Sequence, residues 1–169
     1  MLTGSSMKPK WVSDCDLNVN SFGMRIFLFF FLMLSLLASC ASHNTEPKIV
    51  KSELIDMWDN GKPKKVWLYA EIDGQLEAVR EVNYYSDGAK QLEGPLLNGK
   101  RDGVWKSYYE DGNLWSVGHY TNGIRQGKAV VYYPNGNMMY KGQYTNDRRS
   151  GLWRTWDEEG KLVREVILE

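Results

Sequence analysis

Tyr84-Tyr85-Ser86-Asp87-Gly88, Tyr108-Tyr109-Glu110-Asp111-Gly112, Tyr132-Tyr133-Pro134-Asn135-Gly136 and Trp156-Asp157-Glu158-Glu159-Gly160 are one motif written four times. The closing glycines advance by 24 residues at each step. Two further columns, Gly94/Gly118/Gly142 and Gly103/Gly127/Gly151, advance by the same 24. Three glycine columns in one register define an internal repeat, and the repeat governs how the rest of the chain is read. A degenerate copy, Trp58-Asp59-Asn60-Gly61, ends 27 residues before Gly88.

Each unit reads as two strands and two turns. Val104–Tyr109 is rich in β-branched and aromatic residues and predicts a strand. Glu110-Asp111-Gly112-Asn113 predicts a hairpin turn of type I′, because Asp-Gly tolerates positive φ at its centre. Leu114–Tyr120 is the return strand, and Thr121-Asn122-Gly123 opens a second, wider turn that closes at Gly127. Gly88, Gly112, Gly136, Gly160, Gly103, Gly127 and Gly151 are thus expected to be structural turn glycines. The two-residue period of a strand puts Leu114, Ser116, Gly118 and Tyr120 on one face, with Met138, Tyr140, Gly142 and Tyr144 as their counterparts. A glycine inside a strand weakens it and needs a reason. The expected reason is space for a neighbouring aromatic ring to lie flat on the backbone. Consecutive hairpins with short links predict an all-β fold, an elongated antiparallel meander forming a single twisted sheet. The last stretch, Leu162–Glu169, alternates charge and apolar residues, as suits an edge strand.

The pattern Gly-x-Trp-x-x-Tyr-Tyr-x-(Asp/Asn)-Gly-x-x-x-x-x-Gly-x-Tyr-x-Asn resembles the MORN repeat variant, over about residues 55–169. Gly103/Trp105/Tyr108/Tyr109/Gly112 and Gly118/Tyr120/Asn122 carry the resemblance, and Gly151/Trp153/Trp156/Gly160 follow with substitutions. Ala129 departs from it where a tryptophan is expected, and Pro95-Leu96 interrupt the Gly-x-Tyr stretch. Many bacterial proteins built from such repeats are catalogued as YwqK-type antitoxins of toxin–antitoxin systems. The resemblance therefore implies binding rather than catalysis.

Ahead of the repeats lies a different segment. The apolar run from Ile26 to Ala38 follows Arg25 and is too short for a comfortable membrane span. It fits the hydrophobic region of a signal peptide. The run closes on Leu37-Ala38-Ser39-Cys40, which resembles the lipobox of bacterial lipoproteins. That resemblance implies lipidation, including palmitate, at Cys40, and it implies a membrane as the first partner. Ala41 rather than Asp after the cysteine implies outer-membrane delivery in the cell envelope, facing the periplasm. The expected organisation is an extension at 1–23 preceding a start at Met24, a leader at 24–39, a lipidated cysteine with a flexible tether at 40–54, and the repeat domain at 55–169.

Composition narrows the function. Lys+Arg and Asp+Glu are both 21, so no net charge recruits nucleic acid. The two histidines, His43 and His119, share no metal-ligand spacing, and no cofactor, metal or catalytic residue is expected. Glu158-Glu159 is a solvated turn rather than a glycosidase pair. The candidates for binding a protein partner are Tyr109, Tyr133 and Trp115, since adjacent tyrosines in a strand point to opposite faces and cannot all be buried. A second candidate set is Arg101, Arg125 and Arg149, again 24 residues apart and expected in the wider turns at one sheet edge. Such a ladder could grip phosphates or carboxylates. The expected function is a non-catalytic protein-binding module. Its alternatives are an envelope lipoprotein contacting lipid or cell-wall polymers, and an antitoxin or immunity-type protein.

Overall fold

The structure is a computed structural model that describes residues 46–169. The extension, the leader and the Cys40 site lie outside the described residues. Eleven strands follow one another: β1 Ile49–Met57, β2 Pro63–Ile72, β3 Gln75–Tyr84, β4 Lys90–Leu97, β5 Lys100–Arg101, β6 Gly103–Tyr108, β7 Leu114–Thr121, β8 Ile124–Tyr132, β9 Met138–Thr145, β10 Arg148–Trp156 and β11 Leu162–Leu168. They form one sheet in chain order, every pair antiparallel, with the short β5 pairing only β4. The fold is the expected meander of consecutive hairpins, and no helix occurs among the described residues. The strands begin earlier than expected, however. Ile49–Leu54, read from sequence as tether, pair with β2 across Ala70–Val66.

The two turn families differ from expectation, each for a local reason. At Gly112 the amide donates to the Tyr109 carbonyl, the Tyr109 amide donates to the Asn113 carbonyl, and of the Asp-Gly pair only the glycine has positive φ, at 85°. This is a three-residue loop closed by a glycine bulge rather than a type I′ turn. Asp111 stays right-handed because its carboxylate accepts the Asn113 amide at 2.9 Å. Asp87 and Asn135 do the same in their units. The type I′ geometry belongs to the opposite edge. There Asn98-Gly99, Asn122-Gly123 and Asn146-Asp147 all have positive φ at both positions. These turns are tight, so Thr121 pairs directly with Ile124 and the residues up to Gly127 are strand, not a wide turn. Gly103, Gly127 and Gly151 instead sit inside or at the start of strands with φ of 90°, 96° and 65°. The register shifts beside them in β8 and β10.

The units are tied together by a ladder of side chains. Tyr85 Oη donates to the Tyr108 carbonyl, Tyr109 Oη to that of Tyr132, and Tyr133 Oη to that of Trp156, at 2.8–3.0 Å. Trp58 opens the series in the irregular first unit, its indole N–H reaching the Tyr84 carbonyl at 3.0 Å. Each bond satisfies a strand-end carbonyl that would otherwise face only water.

Most of the core lies on one face of the sheet, but Val82, buried and paired with Val66 and Glu93, lies on the other. Register places Trp67, Glu81 and Gly94 in one cross-strand row, and Trp105, Gly118, Ala129 and Gly142 in its continuation, followed by Trp153 and Val166. Trp105, Ala129 and Trp153 are buried, as are Leu96 and Val131 on the same face. The row behind it, on the other face, starts at the buried Val82 and continues through Glu93, Lys106, Val117, Val130, Lys141, Arg154 and Glu165, of which Lys106, Lys141, Arg154 and Glu165 are exposed.

Candidate binding face

The tryptophan row is built on its glycines. A Cβ added to Gly94 would come within 2.3 Å of the Trp105 ring, and one added to Gly142 within 2.3 Å of the Trp153 ring. Each indole therefore lies on the backbone of the preceding strand, as the sequence pattern suggested. Trp105 turns its N–H to the Pro95 carbonyl and Trp153 to that of Ser150. Tyr120 meets Trp105 edge-on at 6.2 Å, and Tyr144 meets Trp153 edge-on at 5.3 Å.

The middle unit breaks the rule. Gly118 keeps the glycine, but the residue that should cover it is Ala129. A Cβ at Gly118 would touch only Tyr120, at 3.6 Å. The missing indole leaves a cavity of about 150 Å³ between the two filled positions, bordered by Trp105, Tyr120, Tyr140, Tyr144 and two arginines, Arg101 and Arg125.

The arginine column is not at a sheet edge. Arg101 pairs with Leu96, Arg125 with Tyr120 and Arg149 with Tyr144, so all three project from strands onto the aromatic face. The tight type I′ turns are what pull them out of the loops. The guanidinium of Arg101 lies 4.2 Å from the centre of the Trp105 ring, Arg125 lies 4.5 Å from Tyr144, and Arg149 lies 4.5 Å from Trp153. Arg125 is also held by Asp147, whose carboxylate accepts its Nε at 3.1 Å and its backbone amide at 3.0 Å. The amide bond first, and the guanidinium second, hold the Asp147 carboxyl below the usual range. Burial pushes the Tyr140 phenol up.

The remaining expected binding residues divide. Tyr109 and Tyr133 spend their hydroxyls on the inter-unit ladder and are half-buried, so they are staples rather than free contacts. Trp115 is 44% exposed and sits on the opposite face, tilted against Tyr109. Sequence reading missed Tyr120, Tyr140 and Tyr144 as members of the site. The signal was present: each lies two residues from a glycine of the Gly94/Gly118/Gly142 column and shares its face. Among the described residues no group of three or more His, Cys, Asp or Glu could hold a metal ion.

The modules that begin at Arg101 and Arg125 thus run from a stacked arginine, through a buried tryptophan position and a hydroxyl staple, to a tight turn; the module at Arg149 keeps the arginine and the tryptophan. Residues 101–122, 125–146 and 149–167 match the MORN repeat variant. Each matched stretch begins on an arginine of the column. The match is shorter than the span of 55–169 expected from sequence; the hairpins before Arg101 lie outside it and continue the same sheet. No curated protein matches the chain.

Proposed function

We propose that the chain is a lipoprotein, anchored through lipid on Cys40 to the outer membrane on its periplasmic side, whose MORN-variant domain is a non-catalytic protein-binding module. The observation that carries the binding reading is the repeated arginine–aromatic stack on one face of an open sheet. Arginine, tyrosine and tryptophan are the residues that dominate the centres of protein interfaces. Stacking holds each guanidinium flat while its edge stays available for hydrogen bonds, which lowers the entropy lost on binding. The lipid reading rests on Leu37-Ala38-Ser39-Cys40 closing an apolar run behind Arg25. Two or more acyl chains give stable anchoring where one does not.

In-cell cross-linking of the full chain, followed by capture and mass spectrometry, tests the module. One dominant protein is expected, lost when Arg101, Arg125 and Arg149 are together changed to Ala. A toxin as that protein would specify an antitoxin role. Recovery of lipid or cell-wall material with no enriched protein overturns the module in favour of an envelope-contact lipoprotein. Labelled palmitate is expected in the native chain and absent from Cys40→Ser; label retained in that variant overturns the anchor.

A further inference from the structure

We propose that the cavity over Gly118 and Ala129 receives one aromatic side chain of a partner protein, presented next to a carboxylate that Arg101 and Arg125 take. The proposal rests on the protein-binding reading above and names what that face recognises.

Gly118 has no partner within the chain that requires a glycine. Gly94 and Gly142 are required because an indole from the same chain lies on each. Gly118 has the same place in the row and the same bare backbone, yet Ala129 supplies no ring. A glycine within a strand lowers stability unless something packs where its side chain would be. The chain keeps the seat and omits the occupant.

The vacancy has the right size and walls. Its volume of about 150 Å³ is that of a cavity able to hold a benzene-sized ring. Tyr120 on one side and Tyr140 and Tyr144 on the other offer edges and faces to a flat guest, as Tyr120 and Tyr144 already do to Trp105 and Trp153. A ring seated on Gly118 would stand beside Arg125 as Trp153 stands beside Arg149.

Charge selects the neighbour of that ring. Arg101 and Arg125 both border the cavity. Arg101 reaches Glu81 only at 3.9 Å, beyond hydrogen-bond range. Arg125 gives Nε to Asp147, and among the described residues no ion pair uses its terminal nitrogens. Two guanidinium groups thus retain donors at the mouth of an aromatic slot. A carboxylate accepts charge-assisted bonds from those donors, which a cationic group cannot do.

The probe is N-acetyl-tryptophan, with N-acetyltryptophanamide as its uncharged control, titrated into the full chain in mild detergent and followed by backbone amide shifts. Saturable shifts are expected at Gly118, Tyr120 and Ala129. The amide control should bind about tenfold more weakly, the effect of losing one charge-assisted hydrogen bond. Ala129→Trp should fill the slot from within and abolish probe binding and partner capture. Gly118→Val, whose Cβ meets only Tyr120 at ordinary contact distance, should abolish both without relying on a new indole. No shift at these amides in the native chain, or undiminished binding in either variant when folded, overturns the proposal. If the slot fails while a protein is still captured through the arginines, the module reading stands alone. If the probe binds and no protein is captured, the slot stands and the module reading falls.

Discussion

The row that crosses the sheet is built in two ways. At Gly94 and Gly142 a glycine supplies the floor and a tryptophan, Trp105 or Trp153, the cover. Nearer the start of the domain the two columns are exchanged. Trp67 stands in the glycine column and Glu81 in the tryptophan column. There the indole N–H donates to the Glu81 carboxylate at 2.9 Å, and the carboxylate, 7% exposed, is approached by Lys65 at 3.8 Å and Arg101 at 3.9 Å. One solution is apolar and steric, the other polar and dependent on partners. The first tolerates no added atom beneath the ring. The second tolerates no loss of a hydrogen-bonding group, and already leaves Asn83 Oδ1 buried without a partner.

The sharpest test of the difference is Gly142→Val. Its new atoms enter the Trp153 ring, where a single Cβ would already lie at 2.3 Å. Overpacking of this kind costs about 1–3 kcal/mol or more, and urea unfolding should show at least the upper part of that range. Gly118→Val, at the same place in the row but without a ring, should cost far less; equal costs would erase the distinction. Next comes Glu81→Leu, which strands the Trp67 N–H and should lose about 1–3 kcal/mol. Converting the polar solution to the steric one by Trp67→Gly with Glu81→Trp should recover most of what either single change loses. If the double variant is as unstable as the sum of the singles, the exchanged columns are not equivalent seats.

A smaller effect separates the units by their staples. Tyr109→Phe removes one inter-unit hydrogen bond and should cost about 1 kcal/mol, measured by the same unfolding. The smallest concerns pH and belongs to the polar face. Burial, and then the hydrogen bond to Glu93 at 2.7 Å, raise the Tyr108 phenol from 10 to about 12. Burial pushes the Glu93 carboxyl up, but hydrogen bonds from Tyr108 and Lys90 and the charges of Lys90 and Arg80 outweigh it and leave it lowered. The raised phenol stabilises the fold fully below pH 10, and that contribution is lost as pH rises through about 12. Alkaline titration of tyrosine absorbance should show a late-titrating group that Tyr108→Phe removes.

Much of this was legible because glycine chemistry is local. The repeat period, the strand count of each unit, the face shared by Ser116, Gly118 and Tyr120, and the ring over the strand glycine all follow from spacing. What could not be read depended on choices that Asp-Gly and Asn-Gly leave open. Both dipeptides suit a type I′ turn and a bulged loop, and only the Asp111 carboxylate accepting the Asn113 amide decides which edge takes which. That one ambiguity displaced Arg101, Arg125 and Arg149 from strand to loop. The hydroxyl ladder was hidden for another reason, since Tyr109 and the Tyr132 carbonyl meet only once neighbouring hairpins are in register. The exchange of Trp67 and Glu81 has no spacing signature, because the first step is 27 residues instead of 24.

The placement of one arginine per hairpin also makes the face a gauge. Equivalent side chains recur on every second strand, and strands lie about 4.8 Å apart, so the pitch between arginines is about 10 Å. Three residues of a polyproline II helix cover about the same length, roughly 9 Å, and bring the side chain back to the same side. A chain laid across the strands, turning with the twist of the sheet, would therefore meet Arg101, Arg125 and Arg149 with every third residue. Inserting or deleting a single hairpin would alter how long a message the surface can read without changing a letter of it.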